Sequence, residues 1–237
     1  MFPSGITLRM SPSVPVTVIV PIRNAARTVR TAIESVLGQI PPPAEVICVD
    51  GASTDHGASI VRTLGVAVFP QQGRGIANAR NQGIRASTSP WVAFCDADDR
   101  WAPDALQVRL RCLTAAPGAR AVVGRVVREA LTDTPATPAQ AQLIGHSVPG
   151  FTPGALLAER ALFDDIGPFD ETLTIGADSD WFVRLEASGW PAHQLDDIVL
   201  YKGVRDTSLS ADVATYRREL LTIARRFIVS RRGSTPR

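Results

Sequence analysis

Apolar and polar positions in the first half of the chain switch repeatedly between two periods. Residues 16–20, "VTVIV", form a continuous β-branched run ended by Pro21 and Asn24, as expected of a strand buried on both faces. Residues 25–38 then take helical spacing, with Val29, Ile33, Val36 and Leu37 on one side and Gly38 as a stop. The alternation repeats. "EVICV" at 45–49 is closed by "DGASTD", where Ser53, Thr54 or Asp55 can cap a helix that Gly65 ends. "VAVF" at 66–69 is a third strand, "QQGRG" a loop, and 76–86 a helix. "WVAFC" at 91–95 is a fourth strand, before a helix at 103–115 opened by Pro103. Apolar strands alternating with helices predict an α/β fold with a mostly parallel sheet covered on both faces. Ligands bind such sheets beyond the carboxyl ends of the strands. Three of the four strands end in polar groups: Asn24, Asp50, and the Asp96–Asp99 cluster.

Beyond residue 120 the pattern loosens. "AVVGRVVR" at 121–128 reads as a strand, and the Thr-, Pro- and Ala-rich stretch 130–148 as a loop or insertion. A short helix is expected near 158–164, a turn at "GPFDE", 167–171, a helix at 178–188 and a strand at 196–201. The last element is an amphipathic helix at 212–229, with Leu220, Leu221, Ala224, Phe227 and Ile228 inward. The chain divides into a tail (1–14), a first half (15–120), a second half (121–210) with a variable loop at 130–150, and a C-terminal helix with a basic tail (211–237).

Composition narrows the function classes. With 45% hydrophobic and 20% charged residues over 237 positions, the chain is globular and ordered. A net charge of +2 gives no argument for nucleic-acid binding. Arg225, Arg226, Arg231 and Arg232 gather near the end, as a solvated helix end or as a contact for anionic lipid or a polyanionic acceptor. Cys48, Cys95 and Cys112 suggest neither a disulfide framework nor a zinc site. No signal peptide or spanning segment is visible, so the expected location is the cytoplasm, with peripheral membrane contact and homo-oligomerisation both open.

The chemistry concentrates in "WVAFCDADDRW" at 91–101, where an apolar run meets Asp96, Asp98 and Asp99. Two carboxylates about 4 Å apart repel by roughly 1 kcal/mol in water, and by about 4 kcal/mol at an effective dielectric near 20. An arginine, a metal ion or a solvated turn would each relieve that repulsion.

"VTVIVPIRNAARTVRTAIESVLGQ", "EVICVDGASTD", "GRGIANARNQGIRAS" and "VAFCDADDRWAPDAL" resemble successive blocks of family 2 glycosyltransferases. "PGALLAERALFDDIGPFDE", which contains Gly154, and "GADSDWFVRLEASGW" resemble that family's acceptor-side blocks. The resemblance implies a GT-A, Rossmann-like fold and inverting transfer from a nucleotide-diphosphate sugar, with a UDP- or TDP-sugar favoured. The acceptor would be a small molecule, a glycan or a lipid-linked glycan. It also implies a divalent cation, Mg2+ or Mn2+, at the Asp-x-Asp motif matched by Asp96, Ala97 and Asp98. Asp98 would ligate the metal, and Asp96 would contact the ribose or metal-bound water. Asp50 would read the nucleobase, with a helix-capping turn as its plainer role. Pro21, Ile22 and Asn24 would line the base and ribose, and Arg23, where the family often has a small residue, would stack on the base or point to solvent. Arg80 would contact the diphosphate. Arg80 could instead pair with Asp98 or Asp99 in the resting state.

Asp178 matches the family's general base and Asp180 a supporting carboxylate, each with helix capping as the plainer role. The chain departs from the family at Ala177, where Glu is frequent, and at Arg205, where many relatives carry a histidine. Arg205 cannot ligate a metal, but it could pair with the leaving diphosphate and weaken metal dependence. Trp181, Trp190 and Trp101 flank the acceptor side, as sugar-stacking faces or as core. Two competing readings stand beside this one. A nucleotidyltransferase would need a glycine-rich phosphate loop that "PIRNAART" lacks, and a non-catalytic binding subunit would explain Ala177.

Overall fold

The computed structural model describes residues 13–131, 142, 144–204 and 213–233, with backbone only for 213 and 228–233. The first half alternates strands and helices: β1 (Val14–Ile22), α1 (Val29–Leu37), β2 (Pro43–Asp50), α2 (Gly57–Thr63), β3 (Ala67–Pro70), α3 (Gly75–Ala86) and β4 (Trp91–Phe94). Then come β5 (Arg100–Trp101), α4 (Ala105–Ala115), β6 (Ala121–Ala130), β7 (Ser147–Pro149), a 3-10 turn (Pro153–Ala155), β8 (Leu156–Glu159) and α5 (Leu162–Asp165). α6 (Ala177–Ala187), β9 (His193–Val204) and α7 (Val213–Gly233) complete the described elements.

The strands form one sheet in the order β3-β2-β1-β4-β8-β6-β9-β5, with β7 pairing β6 at the side. β3, β2, β1 and β4 are parallel neighbours. β8 runs antiparallel to both β4 and β6, whereas β6 and β9 are parallel. The sheet is therefore mostly parallel in strand direction but interrupted at β8. Chain order turns back at β1, whose two neighbours are β2 and β4. That reversal opens a crevice beyond their carboxyl ends.

β1 is covered on both faces. Val16, Val18 and Val20 pack in a core with Val29, Ile33 and Val36 of α1, while Ile19 faces α3 and an aromatic cluster of Phe163, Phe169 and Trp181. Burying each such aliphatic side chain contributes roughly 1.5–3 kcal/mol, so β1 anchors both layers. α3 approaches it closely: a Cβ at Gly83 would lie 2.4 Å from Ile19 Cγ2. This contact seats the helix that carries Arg80.

Three expectations need correction. Residues 156–159 are a strand, and helix begins only at Leu162, because a four-residue apolar run has too little periodicity to separate strand from helix. The short strands β5 and β7 carry no legible pattern. The inward face of α7 also differs. Leu221 is 61% exposed, Leu220 and Ala224 are exposed, and the buried residues are Glu219 and Ile223. The leucines suggest one face, but a carboxylate with backbone partners elsewhere turns the helix. Ile228's side chain lies outside the described residues, as does most of the expected variable loop. No helix among the described residues is long and apolar enough to cross a membrane.

Candidate active site

The ends of β1 and β2 are tied to each other. Ile22 pairs with Asp50 in register, and Gly51 N–H donates to Ile22 O at 2.8 Å. Asn24 sits in the left-handed region at φ 50°, which Asn tolerates better than most residues. Its Oδ1 accepts from Thr54 N–H at 2.8 Å, and its own N–H donates to Ser53 Oγ at 3.0 Å. Asp50 accepts from Ser53 Oγ at 2.5 Å. Asp55 completes the joint by accepting from Ala26 N–H at 2.8 Å and Gly57 N–H at 2.9 Å. Pro21 and Ile22 are buried beneath this rim, while Arg23 and Asn24 stand exposed on it.

The loop after β4 carries the acidic cluster, and two cations meet it. Arg80 is 1% exposed. It donates from Nη2 to Asp96 Oδ1 at 2.8 Å and from Nη1 to Asp178 Oδ1 at 2.6 Å. Its partners are thus Asp96 and Asp178, not Asp98 or Asp99, and both terminal nitrogens are engaged inside the protein. Lys202, at the end of β9, lies 3.3 Å from Asp99 Oδ2 and 3.8 Å from Asp96 Oδ2. Asp99 also accepts from Gly203 N–H at 2.9 Å. The approach of β9 demands glycine there, since a Cβ at Gly203 would lie 2.2 Å from the Asp98 carbonyl oxygen.

The electrostatics follow from this geometry. Burial pushes the Asp99 carboxyl up to about 7, against the pull of Lys202, with Asp96 and Asp98 adding to the rise. Burial also pushes Asp96 up, but Arg80 and then Lys202 outweigh it and hold this carboxyl below its ordinary value. Asp178 is raised by burial, with Arg80 opposing. Lys202 is held strongly protonated, chiefly by Asp99. Arg80 stays cationic despite its burial because Asp178 and Asp96 flank it.

These residues suit a cation that arrives with a phosphate ligand. Among the described residues no group of three or more acidic, His or Cys side chains converges as a metal cage, and Asp96 is already engaged by Arg80 and Lys202. Magnesium-like ions are commonly held by one or two carboxylates, with substrate phosphate oxygens and water filling the remaining positions. Asp98, half-buried in this loop beside the 7%-exposed Ala97, fits that role.

Asp178 enters from α6. Gly176 is the N-cap of that helix, so Asp178 lies in its first turn rather than capping it. Asp180, 6% exposed, accepts from Arg184 Nε at 2.8 Å one turn along and supports its own helix. Trp181 offers no sugar-stacking face. It has no exposed surface and stacks on Phe163 at 4.6 Å, because it points into the core side of α6. Trp101, 2% exposed, is likewise core and donates from Nε1 to Phe94 O and Gly154 O, each at 3.1 Å. Gly154 is buried, and a Cβ there would lie 2.8 Å from Leu200 Cδ2, so it serves close packing. Trp190 remains 47% exposed. Arg205 lies outside the described residues.

Sequence reasoning missed Lys202 as the second cation of the cluster. Its signal was present as the single lysine of "LYKGVR", just past the strand expected at 196–201, but nothing in the sequence placed that strand beside the acidic loop.

Comparison with known proteins places the fold. The description Glycosyl transferase family 2 matches residues 17–167. The chain is 33% identical over 204 residues to succinoglycan biosynthesis protein ExoU of Rhizobium meliloti, covering 73% of this chain and 57% of that protein. Its fold matches the mannosyltransferase PcManGT from Pyrobaculum calidifontis in complex with GDP-Man and Mn2+, with TM-score 0.66, 24% identity, and coverage of 96% of this chain and 68% of that one. It also matches S. aureus TarS 1-349 in complex with UDP-GlcNAc, with TM-score 0.65, 19% identity, and coverage of 83% and 60%. The family match runs from β1 past α5, well over half of the sequence, and the chain belongs to glycosyl transferase family 2.

Proposed function

We propose that the protein transfers a sugar from a nucleotide-diphosphate sugar to an acceptor nucleophile in one displacement, with inversion at the anomeric carbon. One observation carries this reading: the Arg80 guanidinium joins Asp178 of α6 to Asp96 at the end of β4. A base from one half of the chain thereby stands beside strand-end groups from the other.

Asp50, Asn24 and Arg23, on the floor formed by Pro21 and Ile22, hold the nucleoside. Asp96 and Ala97 close the ribose and phosphate side. Asp98 would hold a divalent cation, which would supply charge neutralisation for the departing diphosphate. Asp178, whose carboxyl burial raises while Arg80 opposes the rise, takes the acceptor's proton. The acceptor lone pair bonds to the anomeric carbon as the bond to phosphate oxygen breaks, and the nucleoside diphosphate leaves with that electron pair. Lys202, 34% exposed at its side chain, stands where it can share that charge, and Arg205, outside the described residues, is proposed for the same role. A hexose from a UDP- or TDP-sugar is the favoured donor, and the complexes of TarS and PcManGT support nucleotide-sugar binding in this fold. The likeness to ExoU, named for succinoglycan biosynthesis, supports a glycan acceptor.

Calorimetric titration of UDP, TDP and GDP with and without Mn2+, on the wild type and on Asp98→Ala, tests the donor site. Metal-dependent binding that collapses in the variant is the expected result. Binding unchanged by both removals would shift charge neutralisation to Lys202 and Arg205, and no binding of any nucleotide would overturn the reading.

A further inference from the structure

The backbone just before Asp178 is held by a residue of the last helix. Glu219 of α7 accepts from Thr174 N–H through Oε1 at 2.9 Å, and through Oε2 from Ile175 N–H at 2.9 Å and Gly176 N–H at 2.7 Å. Three successive amides thus converge on one carboxylate, an anion nest at the positive end of α6. Bonds from amides to an anion are roughly twice as strong as neutral ones. Glu219 is only 9% exposed. Its surroundings are built to receive it: Tyr216 Oη lies 3.1 Å from Ser179 Oγ, and Ile223 packs at Gly176, where a Cβ would meet it at 3.1 Å. Burial pushes the Glu219 carboxyl up, but the three amides outweigh it and hold it below its ordinary value. The family match ends at residue 167, before any of these groups.

We infer that Glu219 is a positioning residue for the proton-accepting carboxylate: its contact with the Thr174–Gly176 amides fixes the start of α6 and so the place of Asp178. This rests on the reading of Asp178 as the base. Arg80 holds the Asp178 side chain from one side, and Glu219 holds its backbone two residues upstream. Both are needed because a reacting group displaced by about 1 Å can lose roughly a hundredfold in rate. A glutamine at 219 would keep the shape but lose the charge and one of the two acceptor oxygens.

The test compares Glu219→Gln with Arg226→Ala, which removes an exposed contact of the same helix to Asp170 at 2.7 Å. Amide exchange is followed by mass spectrometry. Turnover is followed as hydrolysis of UDP-glucose, UDP-N-acetylglucosamine or GDP-mannose, and UDP binding by calorimetry. In Glu219→Gln, exchange at 174–180 should quicken by about tenfold or more while β1 and β2 keep their protection. Its kcat should fall about tenfold or more with donor KM within about twofold, and Arg226→Ala should match the wild type in both. Wild-type exchange at 174–180 in Glu219→Gln, or an unchanged kcat, overturns the inference. A joint loss of UDP binding and of protection across the sheet also overturns it, by showing a role in stability alone. The exchange arm needs no donor and decides the contact by itself. Asp178→Asn separates the two claims: if that variant keeps turnover, the base reading fails, whatever Glu219 does to exchange.

Discussion

The crevice has two walls, and they are held by different means. On the β1–β2 side, Asp50 is fixed by Ser53 three residues on, and Asn24 by the adjacent loop at Ser53 and Thr54. The register of adjacent parallel strands brings those loops together, and Asp55 pins them by accepting from Ala26 N–H. On the α6 side, Asp178 is fixed by Arg80, 98 residues away, and the backbone before it by Glu219, 43 to 45 residues away. The first wall joins the loops of two adjacent parallel strands. The second exists only when distant elements are all in place, so single substitutions should damage it more.

The largest effect tests that contrast directly. Arg80→Ala removes a fully buried cation from between two half-buried carboxylates and should cost up to about 3–5 kcal/mol of stability, read as a lower urea midpoint. Arg80→Lys should recover part of this only, because one ammonium cannot replace a planar fork spanning Asp96 and Asp178. Next comes Asp178→Asn, which should lower kcat by about 10²–10⁴-fold while nucleotide binding stays within about twofold. In the wild type the acid limb of the rate profile should lie above the ordinary carboxylate value, because burial raises Asp178. Weakening the Arg80 contact should move that limb to still higher pH.

On the other wall, Asn24→Ala should cost only about 1 kcal/mol, from strain at positive φ and the lost Thr54 contact. Asn24→Gly, which removes the strain, should cost less in the same urea titration. A pH effect sharpens the picture between the walls. Asp99 titrates near 7 when folded, against 3.8 ordinarily, so the folded protein keeps a proton that the unfolded chain gives up. Its contribution is fully present below about pH 4 and is lost as pH rises toward 7. Asp99→Asn should flatten that slope in thermal melts. The smallest effect is expected at Leu221→Ser, within about 0.5 kcal/mol, because Leu221 is exposed.

Legibility in the sequence divides along the same line. The runs at 16–20, 45–49, 66–69 and 91–95 gave four strands within a few residues of their true ends, since each is a local pattern closed by turn chemistry. Asn24, Asp50 and Asp96 could be placed because strand ends in such a sheet converge. Asp178 was legible as a motif, but its partner was not. Arg80 pairs across the fold, and nothing in "NARN" states which of several carboxylates it meets. Glu219 was invisible for the opposite reason: the leucines beside it formed the more persuasive face. Trp181 was left between a sugar-stacking face and the core, because an aromatic ring suits both, and only packing against Phe163 decides for the core.

The insertion of β8 bears on how the chain assembles. β4 finds its second neighbour only when Trp91 meets Glu159, far along the chain, and closing so long a loop is entropically slow. Until then Val92 and Phe94, fully buried in the finished protein, flank an open strand edge that invites pairing with other chains. During refolding, pulse-labelled amides of β4 and β8 should gain protection after those of β1 and β2, and crowding at high protein concentration should trap this stage. Simultaneous protection of all four strands would show instead that the sheet closes as one cooperative unit.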